Sequence, residues 1–298
     1  MKKVRRAGLE KIFLSVFFAA VMCSAAPGNP AVTNNPVRGL RIFTCGHSFH
    51  GFVPAILADI AVSAGIKDHK QVGSSGIGGS WVIQHWDVPD EKNDAKRLLR
   101  AGGVDVLTLS PIWLPDAGIE KFGELAYQHN PNVRILINEF WLPNDVYDPT
   151  PQGREFLKTK EIVNHNAATV PALEKQQEIY CREMQQHLDG LNTRLGKNIY
   201  SLVPVGHAVI ALREKIMAGQ APGLKTQEEL FRDNWGHPQM PIQVLSAYCF
   251  YACIYQRSPV GLPPVEKWGL DAKLVRLLQE LARDAVTNHP SDGLPANN

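Results

Sequence analysis

Three short stretches of this chain carry residue types that can do acyl-transfer chemistry. The first is Cys45-Gly46-His47-Ser48-Phe49-His50-Gly51. Gly46 permits a sharp turn off a preceding apolar run, and Ser48 then stands just before a helix-length segment whose amides can stabilise a developing negative charge. A serine there also reads as a simple N-cap, so the trio alone does not specify catalysis. The second stretch is Arg232-Asp233-Asn234-Trp235-Gly236-His237-Pro238. A serine hydroxyl is a poor nucleophile until a histidine takes its proton, and that histidine needs a carboxylate to hold its tautomer. Asp233 and His237 offer both on one loop. The third is Gly73-Ser74-Ser75-Gly76-Ile77-Gly78-Gly79-Ser80-Trp81, whose glycines let backbone N–H groups approach an oxyanion. Its spacing matches neither the dinucleotide fingerprint nor the lysine-containing phosphate loop, which disfavours nucleotides.

The elements that must position these stretches follow from the apolar pattern. Strand-length runs are expected at Leu40–Cys45, near Gln71–Val72, and at Val104–Leu109, Val133–Asn138 and Ile199–Val203. Helix-length segments are expected at Val53–Ala64, Asp94–Ala101, Ile119–His129, about Pro171–Leu195, Ala208–Ala218, Ile242–Gln256 and Ala272–Ala285. In the long one, Leu173, Gln177, Tyr180, Met184, Leu188 and Leu191 recur at three- and four-residue steps. Strands alternating with helices predict an α/β chain: a three-layer α/β/α sandwich around a five-stranded parallel sheet. In such a sheet, ligands bind beyond the carboxyl ends of the strands, which is where all three stretches fall. Residues from about Pro143 to Ala168 read as an irregular excursion of the kind that shapes binding sites or simply forms a solvated loop.

These blocks, in this order on such a scaffold, resemble the SGNH/GDSL hydrolase superfamily, whose members carry Gly-Asp-Ser after the first strand, a glycine block after the second, an asparagine block after the third and a closing Asp-x-x-His. Gly46-His47-Ser48 matches the first with histidine in place of aspartate. The resemblance implies a flavodoxin-like fold, Ser48 as nucleophile, and Asp233 and His237 as its partners, with one residue more between them than the family shows. It implies oxyanion donors at the Ser48 amide and at Gly79, or else Gly78. The third block departs. After Val104–Leu109 the chain reads Ser110-Pro111-Ile112-Trp113, so Ile112 stands where the asparagine is expected. Asn138 is a candidate substitute, or a loop cap. Downstream, Leu202–Ala208, Pro222-Gly223-Leu224 and Ser258–Leu262 are similar to divergent bacterial members, including those related to carbohydrate esterases.

On this reading the chain is an exported serine esterase, acting on a small-molecule or carbohydrate ester. Trp81, Trp113, Trp141 and Trp235 stand in or near the loops that border the cleft, as sugar platforms or as core anchors. The alternative is a non-catalytic exported carbohydrate-binding or scaffold protein on the same fold, and a third reading is an acyltransferase. Cys45 is a competing nucleophile in position, but its place at a strand end predicts burial. His47, His50, His85 and His207 are assigned to packing and hydrogen bonding. No metal spacing or organic cofactor is indicated; Cys249 and Cys253, four apart, lack nearby partners.

Composition narrows the classes further. The 298 residues include 31 basic and 29 acidic ones, a net charge of +2 that implies no nucleic-acid surface. Part of that excess sits in Lys2, Lys3, Arg5, Arg6 and Lys11, ahead of an apolar run from Ile12 to Ala26 that ends in small residues. This is the pattern of a secretory signal over residues 1–26, an uncleaved anchor being the alternative, and it predicts a periplasmic or extracellular protein without stable membrane insertion. A linker at 27–38, one hydrolase-like domain at 39–287 and a disordered tail at 288–298 complete the expected organisation. The four cysteines beyond the leader, Cys45, Cys181, Cys249 and Cys253, read as buried thiols, with one disulfide permitted by the compartment.

Overall fold

Runs rich in Val, Ile and Leu that are apolar on both faces have one stable home, the middle of a parallel sheet covered on each side. A computed structural model, which describes residues 37–156 and 164–289, places them there. The signal, most of the linker and nearly all of the tail expected from the sequence lie outside the described residues. Five parallel strands, β1 (Arg41–Gly46), β2 (Lys70–Gly76), β3 (Val106–Leu109), β4 (Arg134–Asn138) and β5 (Tyr200–Val203), run in the order β2-β1-β3-β4-β5. β3 is buried throughout, and β1 and β4 are buried beyond their first residues, as two-sided cover requires. Edge strand β2, built of glycine and serine, is only partly covered.

The α-helices among the described residues are α1 (Val53–Ser63), α2 (Val82–Asp87), α3 (Ala95–Arg100), α4 (Ala117–His129), α5 (Pro151–Phe156), α6 (Val170–Leu195), α7 (Val205–Met217), α8 (Met240–Tyr255) and α9 (Ala272–Asn288). α8 packs against α1, α7 and α9, while α2 and α3 pack on α4, giving the three-layer α/β/α sandwich. α8 is buried on every side from Pro241 to Tyr255 save Gln243, as a helix wrapped by neighbours must be. α6 buries the predicted stripe of Leu173, Gln177, Tyr180, Met184, Leu188 and Leu191.

Three local features differ from the sequence reading, one being helix α5, which lies within the stretch expected to be irregular. β2 continues to Gly76, so Gly73, Ser74 and Ser75 pair with β1 and the glycine turn is confined to residues 77–80. The short helix α2 follows that turn directly. Its first amides, Val82 and Ile83, donate to the Asp116 carboxylate at 2.6 and 2.9 Å. That carboxylate also accepts from Gly118 N at 3.0 Å, so one buried side chain ties the turn to the start of α4. Burial pushes the Asp116 carboxyl up, and the three backbone donors oppose that rise.

No described helix is long and apolar enough to cross a membrane. Cys45, Cys181, Cys249 and Cys253 are free thiols.

Candidate active site

The strand order reverses between β1 and β3, and the loops leaving their carboxyl ends open a crevice there. Ser48 lies in that crevice, on a turn closed by the amides of His50 and Gly51 donating to His47 O at 2.9 and 2.8 Å. It does not cap α1, whose N-cap is Phe52. Its hydroxyl instead lies 2.8 Å from Nε2 of His237. On the far side of that ring, Nδ1 is 2.7 Å from Oδ2 of Asp233. Hydroxyl, imidazole and carboxylate therefore form one proton-transfer line.

The loop from 232 to 238 explains how a four-residue step still brings acid and base together. The Arg232 amide donates to His237 O at 2.8 Å and Gly236 N to Asp233 O at 3.1 Å, closing a tight reversal. Gly236 sits at φ 89°, a conformation that a side chain would strain. Asp233 Oδ1 accepts from the amides of Trp235 and His237 at 3.1 and 3.2 Å, leaving Oδ2 for the ring. Partial burial pushes the Asp233 carboxyl up, but hydrogen bonds from the His237 amide and ring and the Trp235 amide outweigh it and hold the carboxyl below its ordinary range. The His237 ring is fixed in plane by Trp235, stacked at 6.2 Å and 14°, and by Phe49 at 5.1 Å.

A cavity of about 560 Å³ opens over Ser48. Its wall includes Gly78, Gly79, Trp81, Ile112, Asn144 and Trp235. The turn beneath it is held by Ser80, whose hydroxyl donates to Ile77 O at 2.9 Å and lies 2.8 Å from His85 Nε2; His85 Nδ1 in turn lies 2.7 Å from Ser75. Gly79 has φ 59°. Among the described residues, the amides of Ser48, Gly78 and Gly79 donate to no protein acceptor.

The structure divides the remaining predicted residues. Trp81 and Trp235 line the cavity, whereas Trp113 and Trp141, expected there too, are only 1% and 2% exposed and do not. Trp141 is a loop anchor, its Nε1 donating to Gly236 O at 2.8 Å. Trp113 stands edge-on to Tyr147 within the core. Asn138 is likewise buried away from the cavity; its Nδ2 donates to Ser110 Oγ at 3.3 Å, and Ser110 lies 3.1 Å from His47 Nε2. The reason is geometric, since Asn138 is the last residue of β4 and stays within the sheet layer. Ile112 contributes an apolar wall. Cys45 is fully buried, and burial drives its thiol far above the ordinary range. His47 and His50 are pushed down to about 3, first by burial and then by neighbouring imidazoles, so both rings are neutral across the physiological range.

One residue the sequence reading missed stands in the same wall. Asn144 is 3% exposed, lines the cavity, and has an Oδ1 with no hydrogen-bond partner. It and Asp145 both adopt left-handed backbone, at φ 54° and 56°. That pair is held by a buried ionic network: Asp145 receives Arg213 through both carboxylate oxygens at 2.5 and 3.0 Å, and His165 at 2.9 Å. Burial pushes the Asp145 carboxyl up, and those partners outweigh it and hold it low. Asn144 N donates to Trp235 O at 3.3 Å, joining this segment to the Asp233–His237 loop. The only sequence signal was its place in the excursion after β4, where consecutive Asn-Asp tolerates left-handed backbone.

No protein-family model matches the chain, and no curated protein matches it. Among solved structures, a DUF4886 family protein from Bacteroides uniformis is similar, with a TM-score of 0.53 at 13% identity over 85% of this chain and 96% of that one. A family 3 carbohydrate esterase from Clostridium thermocellum is similar more distantly, with a TM-score of 0.39 at 12% identity over 72% and 94% of the two chains. At these identities the likeness to the first is one of fold.

Proposed function

We propose that the protein is a serine esterase in which Ser48 is the nucleophile, His237 the general base and then acid, and Asp233 the group that orients and charges the imidazole. The observation that carries the reading is the unbroken line from Ser48 Oγ through His237 to Asp233, at 2.8 and 2.7 Å, opening into a cavity. His237 takes the hydroxyl proton as Oγ attacks the ester carbonyl. The alcohol leaves with that proton, and a water deprotonated by His237 then releases the acyl group. The unengaged amides of Ser48 and Gly79 suit the tetrahedral oxyanion, and the Asn144 side chain takes the place that Ile112 cannot fill. Trp81 and Trp235 on the cavity wall favour an acyl group carried on a sugar ring, to which flat aromatic faces bind well. The basic, apolar and small-residue leader supports export.

The apolar Ile112 favours a second reading, a binding protein that no longer turns over. Hydrolysis of p-nitrophenyl acetate by the purified protein, beside a Ser48→Ala variant, separates the two. The esterase reading expects turnover that the variant loses; equal rates from both proteins, at the level of buffer, would leave the binding reading.

A further inference from the structure

A second cavity, of about 590 Å³, lies between α6, α7 and α9 and shares no lining residue with the first. Cys181 of α6, His207 of the first turn of α7 and His289 just after α9 line it, each able to ligate a metal. A fourth, Glu139, comes from the residue after β4 and is fully buried. One ligand atom each from Glu139, Cys181 and His207 lies within 4.8 Å of the others. Glu139 Oε1 is 2.8 Å from His207 Nδ1, and Cys181 Sγ is 3.4 Å from His289 Nε2. The two imidazole rings are 6.3 Å apart.

Glu139 pairs with His207 and Cys181 with His289, so the four groups converge on one another beside the cavity. His207 Nδ1 is buried and, despite its closeness to the carboxylate, meets no hydrogen-bond geometry. The cluster also carries excess negative charge, with Glu178 and Asp284 on the cavity wall beside it. Bonds of about 2.0–2.3 Å to nitrogen, oxygen and sulfur place tetrahedral ligand atoms about 3.3–3.8 Å apart. The Cys181–His289 separation falls in that range, the Glu139–His207 one is shorter, and the Glu139, Cys181 and His207 atoms all lie within 4.8 Å of one another.

We propose that Glu139, Cys181, His207 and His289 form a four-coordinate site for a divalent transition ion of the zinc class. One thiolate and two imidazoles select against calcium and magnesium, and a thiolate with a carboxylate neutralises a doubly charged ion in this buried setting. Binding releases the thiol proton of Cys181 and any proton on His207. Gln177, which donates to Glu139 Oε1 and to Phe140 O, supplies the outer hydrogen bond that fixes the carboxylate. Four protein ligands leave no open position, so the ion is structural: it staples the end of β4 to α6, α7 and the end of α9.

Cobalt(II) titration of the reduced full chain tests this. The expected result is one equivalent of cobalt giving a thiolate charge-transfer band in the near ultraviolet with tetrahedral d–d bands. Zinc should bleach these bands and raise Tm by about 5–10 °C at saturation. Cys181→Ser should lose the charge-transfer band and His207→Ala should weaken affinity at least tenfold, while Ser48→Ala binds as the parent does. Absence of both the bands and the zinc-dependent Tm shift in the parent protein overturns the proposal, as does a charge-transfer band that survives in Cys181→Ser.

Discussion

At the scale of single residues, the candidate site depends on donors whose loss is separable. Asn144→Asp keeps the size and the tolerance of left-handed backbone but replaces an N–H donor by a carboxylate. It should lower kcat about 100- to 1,000-fold and, because it buries a carboxylate, lower Tm as well, measured by ester hydrolysis and thermal melts. The two glycines of the turn give a sharper comparison. A Cβ at either would meet open space, but only Gly79 sits at positive φ. Gly79→Ala should therefore lose about 1 kcal/mol of stability together with much of kcat, whereas Gly78→Ala should leave Tm near that of the parent. Asp233→Asn preserves shape but disturbs the tautomer of His237, and a loss of about 10,000-fold in kcat is expected.

At the scale of elements, the groups proposed to react ride on loops, and buried anchors hold those loops in place. Trp141→Phe removes the bond to Gly236 O and part of a buried ring, so it should lower kcat and cost about 1–3 kcal/mol of stability; a reduced rate and a lower Tm beside an unchanged far-ultraviolet circular dichroism spectrum would show it. Arg213 is nearly fully buried and joins Asp145, Gln227 Oε1 and His165 O. Arg213→Leu leaves the Asp145 carboxylate with His165 alone and should cost about 3–5 kcal/mol in denaturant unfolding. These anchors mark the limit of what the sequence discloses. The strands and long helices were legible because period-two and period-3.6 burial writes itself into the chain, as in the α6 stripe. Strand β2 was read short because glycine and serine carry no apolar signal. Asn144 was missed because an irregular segment has no period, and its conformation is set by Arg213, far away in sequence. The ligand cluster around Glu139 was invisible for the same reason: its members come from four elements and no two share a motif. The tryptophans show the reverse error, since Trp113 and Trp141 have the right type and neighbourhood for a binding platform and are buried by packing.

At the scale of the whole molecule, the sheet core buries imidazoles that must stay neutral. His47 and His50 take up no second ring proton in the folded state until about pH 3, whereas the unfolded chain gains one on each near pH 6.5. Between those values the unfolded state binds more protons, so stability is complete above about pH 6.5 and falls as the pH drops, by about 1.4 kcal/mol per unit for each ring. Urea midpoints measured from pH 7 to pH 4 should decline steadily, and His50→Gln should flatten the slope. A midpoint insensitive to pH over that range would mean that these rings titrate freely.

The central claim, that Ser48 is activated by His237, is tested most directly by a fluorophosphonate and intact-mass measurement of the product. The account predicts one adduct per chain, located on the peptide containing Ser48, lost in Ser48→Ala and greatly slowed in His237→Ala. A protein that stays unmodified, or one labelled equally in Ser48→Ala, would contradict it.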